Sequence, residues 1–252
     1  MLRRFSLVVS SVLAAAVLTS SAAASHSWGE YHWARTSNPF TVKLGDNVSG
    51  VWDGHLATAS ADWSASSVLD TVIVPSASTS GRKGKRGQCQ PTTGQIEVCN
   101  GAYGTNGWLG LASIWLSGGH ITQATTKVND TYFNDTTKYG PTARQHVMCQ
   151  EVGHDFGLTH QDESGADLNT CMDYARALDN ASPDQHDYEQ LSIIYAHLDS
   201  TTTVSSAVAA DAKPVKVERF DRISHSTVVE HFKGGAKKVT HVTWALPGAY
   251  GD

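Results

Sequence analysis

Long apolar runs are scarce in this sequence of 252 residues. The main one, residues 5–18, is shorter than the roughly 20 residues that a membrane-spanning helix needs. Arg3 and Arg4 precede it, and Ala22-Ala23-Ala24 follows it with an A-x-A cleavage pattern. This arrangement is typical of a secretory signal peptide. We therefore predict that residues 1–24 are removed, that the protein is secreted (extracellular), and that it has no stable membrane insertion after signal removal.

Basic residues are also in the minority, with 19 Lys and Arg against 24 Asp and Glu and a formal net charge of -5. Proteins that bind nucleic acid usually carry a concentrated basic surface, so we expect no nucleic-acid partner. The hydrophobic fraction of 40% is that of a globular chain long enough to bury a core. The length fits one domain with appendages better than two full domains.

Only four cysteines are present, and no two of them form a C-x-x-C pair. This absence argues against a structural zinc held by four thiolates. An even number of cysteines in an exported chain indicates disulfides, for which four cysteines allow three pairings. We favour Cys89 with Cys99, which closes a short loop, and Cys149 with Cys171, which joins a predicted helix to the segment after it.

Hydrophobic patterning predicts an α+β fold. Four segments have the composition or alternation of strands, the last of them as a pair around Gly118-Gly119: residues 38–48, 68–76, 94–100 and 107–130. Three segments have helical spacing: residues 51–67, 142–160 and 182–198. Ser182 is the predicted N-cap of the last helix, with Pro183 at its first position.

A change of composition from Ser200 onward marks a second region. Residues 200–214 are predicted as a linker, and residues 226–246 alternate on both sides of Gly234-Gly235, which predicts a β-hairpin. We therefore predict one main domain over residues 25–200. Residues 201–252 are predicted as a linker and a C-terminal β-hairpin extension.

The segment QEVGHDFGLTH has the residues of a metal site. Residues four apart on a helix share one face, so Gln150 and His154 can reach the same metal ion. Glu151 lies beside that ion, where a base can take a proton from a metal-bound water. Gly157 can adopt a positive φ, which ends the helix and brings His160 round as a third ligand. Three protein ligands with one open position are the pattern of a catalytic zinc site.

This segment, followed by CMDY, resembles the metzincin metallopeptidases, and within them is most similar to the matrixins, over about residues 40–198. The resemblance implies a metzincin-like twisted mixed β-sheet with a backing helix, an active-site helix, a Met-turn and a C-terminal helix. Five residues match the family's motif, as second zinc ligand, third zinc ligand, general base, turn glycine and Met-turn residue respectively: His154, His160, Glu151, Gly157 and Met172.

The function implied by the resemblance is that of a secreted zinc-dependent endopeptidase. Peptide bonds would be hydrolysed through a zinc-bound water activated by Glu151, with zinc as cofactor and a peptide or protein as substrate. GLASIW, residues 110–115, would be the edge strand on which a substrate peptide aligns. The propeptide cysteine that caps the zinc in this family is missing, since no cysteine precedes Cys89.

Gln150 stands where the family has its first zinc-ligand histidine, so the predicted metal ligands are Gln150, His154 and His160. A neutral amide is a poorer zinc ligand than imidazole. Three hypotheses follow. The chain is an active endopeptidase, or it is a catalytically impaired pseudo-peptidase that binds peptide or protein. The third hypothesis is a binding or structural module carried by the C-terminal hairpin, with the metzincin-like part as scaffold.

Two further histidines leave alternatives open. His146 lies eight residues before His154, which is about 12 Å along a continuous helix. It reaches the same metal only if the helix starts after it, and otherwise it packs near the helix N-terminus. His120, beside Gly118-Gly119, is either a ligand of a second metal or a polar surface residue.

Overall fold

The computed structural model describes residues 26–78, 89–175, 177–202, 212–222 and 224–245. The predicted signal peptide lies outside these residues, as does most of the predicted linker. The described chain forms one large mixed sheet with a few helices, which is compatible with the predicted α+β class.

Nine strands form the sheet. In chain order they are β1 His32–Trp33, β2 Phe40–Asn47, β3 Leu69–Pro75, β4 Gln95–Gly101, β5 Trp108–Ser117, β6 His120–Asn129, β7 Lys216–Asp221, β8 His225–His231 and β9 Lys237–Trp244. Their order across the sheet is β3-β2-β4-β6-β5-β9-β8-β7, and β1 also pairs with β6. Every pair that includes β5, β7, β8 or β9 is antiparallel, and the other pairs are parallel.

Helices cover the parallel half of the sheet and its junction with the antiparallel half. They are α1 Trp52–Trp63, α2 Asp130–Phe133, α3 Pro141–His154 and α4 Gln185–Ile194. α1 and α3 pack against each other, α1 also contacts β3, and α3 contacts β5, β6 and β9. The indole Nε1 of the buried Trp63 donates to the carbonyl of Cys149 at 3.1 Å, which ties α1 to α3 inside the core. The layer of helices thus places α3 directly over β5 and β9.

The start of α4 differs from the prediction. Its N-cap is Asp184, whose carboxylate accepts from the backbone N–H of Asp187, while the Asp187 carboxylate accepts from the N–H of Asp184. This reciprocal pair satisfies two N–H groups that the first helical turn leaves free, an advantage that Ser182 cannot match. The carbonyl of Ser182 instead accepts from the N–H of Cys171 at 3.0 Å.

The predicted C-terminal hairpin is confirmed, with β8 and β9 on either side of Gly234-Gly235. Its place in the fold was not predicted. β9 pairs antiparallel with β5 from Trp108 opposite Trp244 to Leu116 opposite Lys237. The prediction that GLASIW forms an edge strand is therefore wrong. An apolar edge strand offers unpaired N–H and C=O groups, and β9 satisfies them.

The outer edge of this half of the sheet is β7, which begins two residues after the predicted linker. Its side chains are mostly exposed, and most of them are charged, in the sequence KVERFD. Charged side chains on an outer strand discourage pairing with other chains. The hairpin region therefore replaces an apolar edge by a charged one.

Both favoured disulfides are present, Cys89 with Cys99 and Cys149 with Cys171. The second one ties α3 to the segment that precedes α4. Among the described residues, no helix combines the length and the hydropathy needed to cross a membrane.

Candidate metal centre

Helix α3 and the turn after it bring His154 and His160 together. α3 ends at His154, and almost all of its side chains are buried. Gly157 follows with a φ of 96°, and a side chain at this position would collide with the carbonyl of Tyr31. The chain turns back here, and the ring centroids of His154 and His160 lie 4.8 Å apart.

A third imidazole comes from β9. The ring of His241 stacks on that of His154 with 3.9 Å between centroids and lies 4.5 Å from the ring of His160. Ligand nitrogens of the three histidines all lie within 4.8 Å of one another. We call His154, His160 and His241 the imidazole group. His241 was not predicted as a site residue, because it lies in the part of the sequence that was predicted as an extension.

Free ring nitrogens converge in the imidazole group. His154 Nδ1 donates to the carbonyl of Leu158 at 2.9 Å, so its Nε2 carries a lone pair. Within the described residues, His154 Nε2, both ring nitrogens of His160 and His241 Nδ1 have no hydrogen-bond partner. Buried polar atoms without a partner are rare and call for an ion or a water molecule. Three imidazoles with free lone pairs fit a metal ion.

Burial keeps the imidazole group neutral. It lowers the pKa of His154 to about 3. It also lowers the pKa values of His160 and His241 well below their usual range, and the neighbouring imidazoles lower them further. Neutral imidazole is the form that binds metal ions, so the group needs no deprotonation at neutral pH.

Glu151 is a buried carboxyl one position along α3 from Gln150. Its Oε1 lies 2.7 Å from the hydroxyl of Thr243 on β9, and its Oε2 has no partner within the described part of the chain. Burial raises the pKa of Glu151 to about 8. Gly110 on β5 leaves the space for this side chain, since a Cβ there would collide with the carboxylate. The predicted base is thus held between α3 and the sheet.

Gln150 is held from two sides. Its Nε2 donates to the carbonyls of Cys171 at 2.8 Å and Asp173 at 3.3 Å. Its Oε1 lies 2.8 Å from the hydroxyl of Thr243 and 3.3 Å from Nε2 of His225. Both partners of the amide oxygen belong to the C-terminal hairpin. That Gln150 binds metal stays a prediction, and in this conformation its oxygen is engaged by hydrogen bonds.

The segment that contains the predicted Met-turn lies under the end of α3. A Cβ built on Gly153 would come within 2.7 Å of the Met172 sulfur, so Met172 packs directly against the residue before His154. The ring of Tyr174 lies 3.8 Å from that of His160. Tyr174 therefore packs against the imidazole group, and Met172 packs against the end of α3.

His146 lies outside the imidazole group. It is fully buried on α3, and its Nδ1 lies 2.7 Å from the carbonyl of Asn180. Its distance along the helix keeps it from His154, as the rise of a continuous helix requires, while its Nε2 lies 3.5 Å from Nε2 of Gln150. His146 therefore anchors the segment before α4 to α3.

The centre is enclosed in this conformation. The side chains of His154, His160, His241 and Glu151 are 3% exposed or less. Comparison with protein-family models and with curated proteins gives no match for this chain. Function is therefore inferred from the site itself. One sequence signal for His241 existed, since His241 and Thr243 share the face of the buried Val239 in an alternating strand.

Proposed function

We propose that this chain is a secreted zinc-dependent endopeptidase of metzincin type, held in a latent form by its C-terminal hairpin. One observation carries the proposal. The strand that covers β5 also supplies His241 to the imidazole group. One element, β9, therefore covers the strand β5 and contributes an imidazole to the group.

The imidazole group would hold the metal in the latent form. Three neutral imidazoles suit zinc better than the harder cations magnesium and calcium, which take oxygen ligands. A zinc ion bound there supplies a Lewis acid that polarises the scissile carbonyl and lowers the pKa of water. All remaining tasks belong to side chains and backbone groups of this chain.

Glu151 would act as the base. Its Oε2 has no hydrogen-bond partner among the described residues, and its Oε1 accepts from the hydroxyl of Thr243 on the hairpin. Once the hairpin leaves, the burial that raises the pKa of Glu151 is lost, and its carboxylate can accept a proton from the attacking water and pass it to the departing amine. Gly110 supports this assignment, because any larger residue would push the carboxylate out of position.

β5 would bind the substrate peptide. An extended peptide can pair with an exposed strand through backbone hydrogen bonds. β9 already pairs with β5 in this way, and Ala112 of β5 lies opposite His241. A peptide and β9 therefore compete for the same backbone groups, so the latent form cannot bind substrate.

Release of the hairpin would exchange a metal ligand. His241 leaves with β9, and Gln150 Oε1 loses both of its partners, Thr243 and His225. The amide oxygen is then free to join His154 and His160, with one position open for water. Glu151 is released by the same movement, since Thr243 is also its partner. The predicted ligand set of Gln150, His154 and His160 thus describes the open form.

The test uses a chain in which a specific protease site replaces residues 203–211. The intact chain should bind zinc and show little activity on a casein-type substrate. After cleavage, dilution should release the hairpin and raise the activity. The matched control is Ser113→Cys with Thr240→Cys, whose parent hydroxyl oxygens lie 2.9 Å apart across β5 and β9. A disulfide there should keep the cleaved chain inactive.

A second variant, Glu151→Gln, shows whether the measured cleavage comes from this site or from a contaminating protease. Cleaved Glu151→Gln should stay inactive at every dilution and still bind zinc. A cleaved, diluted wild-type chain that is fully loaded with zinc and yet inactive would contradict the proposal.

A catalytically impaired pseudo-peptidase is the second candidate, and the hydrogen bonds of Gln150 favour it. Its Nε2 donates to two backbone carbonyls, which is a structural role, and a closed site is the pattern of structural zinc. Under this hypothesis the released chain binds a peptide without cutting it. Gln150→His should then create activity in the cleaved chain, whereas an active wild type excludes the hypothesis.

A further inference from the structure

We propose that His32, His120, His197 and Asp199 form a second metal site, which takes a divalent transition-metal cation of the zinc class. None of these residues belongs to the imidazole group, and the proposal stands independently of any peptidase activity. It rests on how three separate parts of the chain meet. These parts are β1, the start of β6 and the segment after α4.

Backbone pairing brings these parts together. β1 runs parallel to β6, with His32 opposite His120 in the register. The segment after α4 is joined to β1 by Arg35, whose carbonyl accepts from the N–H of Asp199 at 2.8 Å. The N–H of Arg35 donates in return to Asp199 Oδ2 at 3.1 Å. The four side chains therefore meet because of main-chain contacts that do not depend on a metal.

Asp199 is oriented by Arg35. The guanidinium Nη1 donates to Oδ2 at 2.8 Å, which leaves Oδ1 free to face the imidazoles. Oδ1 lies 3.1 Å from Nε2 of His120, 3.4 Å from Nε2 of His32 and 3.8 Å from Nε2 of His197. Ligand atoms of His32, His197 and Asp199 all lie within 4.8 Å of one another, and His120 contacts the same carboxylate oxygen from the start of β6. The other carboxylate oxygen accepts a hydrogen bond from Arg35, and ligating carboxylates in metal sites are often held by such hydrogen bonds.

The tautomer of His32 favours a cation at this position. Its Nδ1 donates to the carbonyl of Glu30 at 2.5 Å, so its Nε2 carries a lone pair. That lone pair faces Asp199 Oδ1, which is also an acceptor, at 3.4 Å. A metal ion between the two acceptors removes the conflict.

The donor set indicates which ion binds. Three imidazole nitrogens and one carboxylate oxygen are a common four-ligand set for zinc, and calcium and magnesium prefer oxygen ligands throughout. His197 is 53% exposed at its side chain, so the position is open to ions from solvent. The metal would cross-link β1, the β5–β6 turn and the segment after α4.

One competing arrangement explains the contacts without a metal. His197 Nε2 lies 3.1 Å from His32 Nε2 and can donate to it, while His120 donates to Asp199. This network predicts no metal binding, and so the two arrangements differ in a measurable quantity.

A third cluster, His26 with His186 and Asp187, carries no proposal. The Asp187 carboxylate caps α4 and accepts from Thr170, and so its hydrogen bonds are accounted for.

The experiment measures zinc bound to the full mature chain. Metal is first removed by chelation, and zinc is returned and quantified by mass spectrometry after gel filtration. Wild type should bind two zinc ions per chain. His120→Ala and Asp199→Asn should each bind one, and so should His241→Ala, which removes a ligand of the imidazole group. His55→Ala, a histidine outside both sites, should still bind two.

Thermal unfolding with and without zinc distinguishes lost binding from lost folding. In chelator, His120→Ala should unfold at the same temperature as wild type. In zinc, the rise in Tm should be smaller for His120→Ala than for wild type, because a ligand stabilises only a protein that binds it. Equal zinc content and equal Tm shift in wild type, His120→Ala and Asp199→Asn would overturn the second site.

The two sites can fail separately. If wild type binds one zinc and His120→Ala binds none, the second site stands and the imidazole group does not bind metal. If wild type binds one zinc, His120→Ala keeps it and His241→Ala loses it, the second site is wrong and the imidazole group stands.

Discussion

The hydroxyl of Thr243 lies between Gln150 and Glu151, the proposed metal ligand and the proposed base. It is 2.8 Å from Gln150 Oε1 and 2.7 Å from Glu151 Oε1, and all three side chains are buried. The hydroxyl has one proton to donate, and the removal of a donor from buried oxygens costs free energy. One threonine therefore stabilises the closed hairpin and holds the ligand and the base away from their proposed tasks.

Thr243→Val tests this role, because valine keeps the shape and removes the hydroxyl. We expect the free energy of unfolding to fall by about 1–3 kcal/mol, since Gln150 and Glu151 lose a buried hydroxyl partner. The proposed release of the hairpin should become easier, and so peptidase activity of the intact chain should rise. Urea denaturation and a casein assay measure the two effects.

Thr240→Val is the matched control for that prediction. Thr240 lies on the opposite face of β9 and bonds Ser113 rather than a site residue. The fall in the free energy of unfolding should be smaller for Thr240→Val than for Thr243→Val. The peptidase activity of Thr240→Val should equal that of wild type. Similar results for the two variants would show that the hydroxyl of Thr243 has no special role.

Gly153→Ala should destabilise the protein. A Cβ at this position would lie 2.5 Å from the Trp63 ring and 2.7 Å from the Met172 sulfur, inside a closely packed core. Overpacking of this kind costs about 1–3 kcal/mol, which exceeds the gain from the better helix propensity of alanine. Gly54→Ala on α1 is the control, since nothing lies within 4 Å of its added Cβ. Gly54→Ala should be neutral or stabilising by up to about 1 kcal/mol in the same urea experiment.

At the scale of elements, most of the local structure follows from the sequence, and the pairing of β5 does not. Alternation and turn glycines predicted the hairpin around Gly234-Gly235, and helical spacing predicted α1, α3 and α4. Whether β5 is an edge depends on a contact between segments more than 100 residues apart, and no local pattern encodes such a contact.

The candidate site divides in the same way. His154, Glu151 and His160 lie within one helix and its turn, so their spacing alone brought them together. His241 reaches them only through the pairing of β9 with β5. The proposed second site is likewise hard to predict from the sequence. His32 and His197 meet through long-range packing, and of its residues only His120 is a candidate metal ligand from the sequence alone.

Hydrogen exchange should separate the strands of the hairpin region. β9 pairs with β5 on one side and β8 on the other, whereas β7 pairs only with β8 and is largely exposed. Amides of β9 should therefore exchange more slowly than those of β7, because they need a larger opening. Exchange measured by mass spectrometry on peptides from each strand checks the order.

Release of the hairpin gives the complementary result. In the cleaved and diluted chain, β5 amides that pair with β9 should lose protection, while those of β4 should keep it. Unchanged protection of β5 would mean that the hairpin stays in place after cleavage.

At the scale of the whole molecule, a disulfide and a backbone hydrogen bond join α3, the segment after His160 and α4. The disulfide between Cys149 and Cys171 connects α3 to the segment that contains Met172. The N–H of Cys171 donates in turn to the carbonyl of Ser182, just before α4. The segment that contains Met172 is therefore joined both to the helix that ends at His154 and to the residues just before α4.

Replacing Cys149 and Cys171 together by alanine should lower the free energy of unfolding by about 3 kcal/mol, the loop-entropy cost of a loop of this length. The buried sulfur volume adds to the loss. The disulfide between Cys89 and Cys99 closes a shorter loop, so its removal should lower the free energy of unfolding by less. Urea unfolding of both double variants gives the comparison, and an equal or reversed order would contradict it.

The order of His154 and His241 along the chain also has a consequence for biosynthesis. A ribosome makes the helix with His154 and Glu151 well before it makes the strand that encloses them. Under the proposed function, the inhibited state would arise only once residues 237–244 have been translated. A chain that stops before these residues would never carry the restraint.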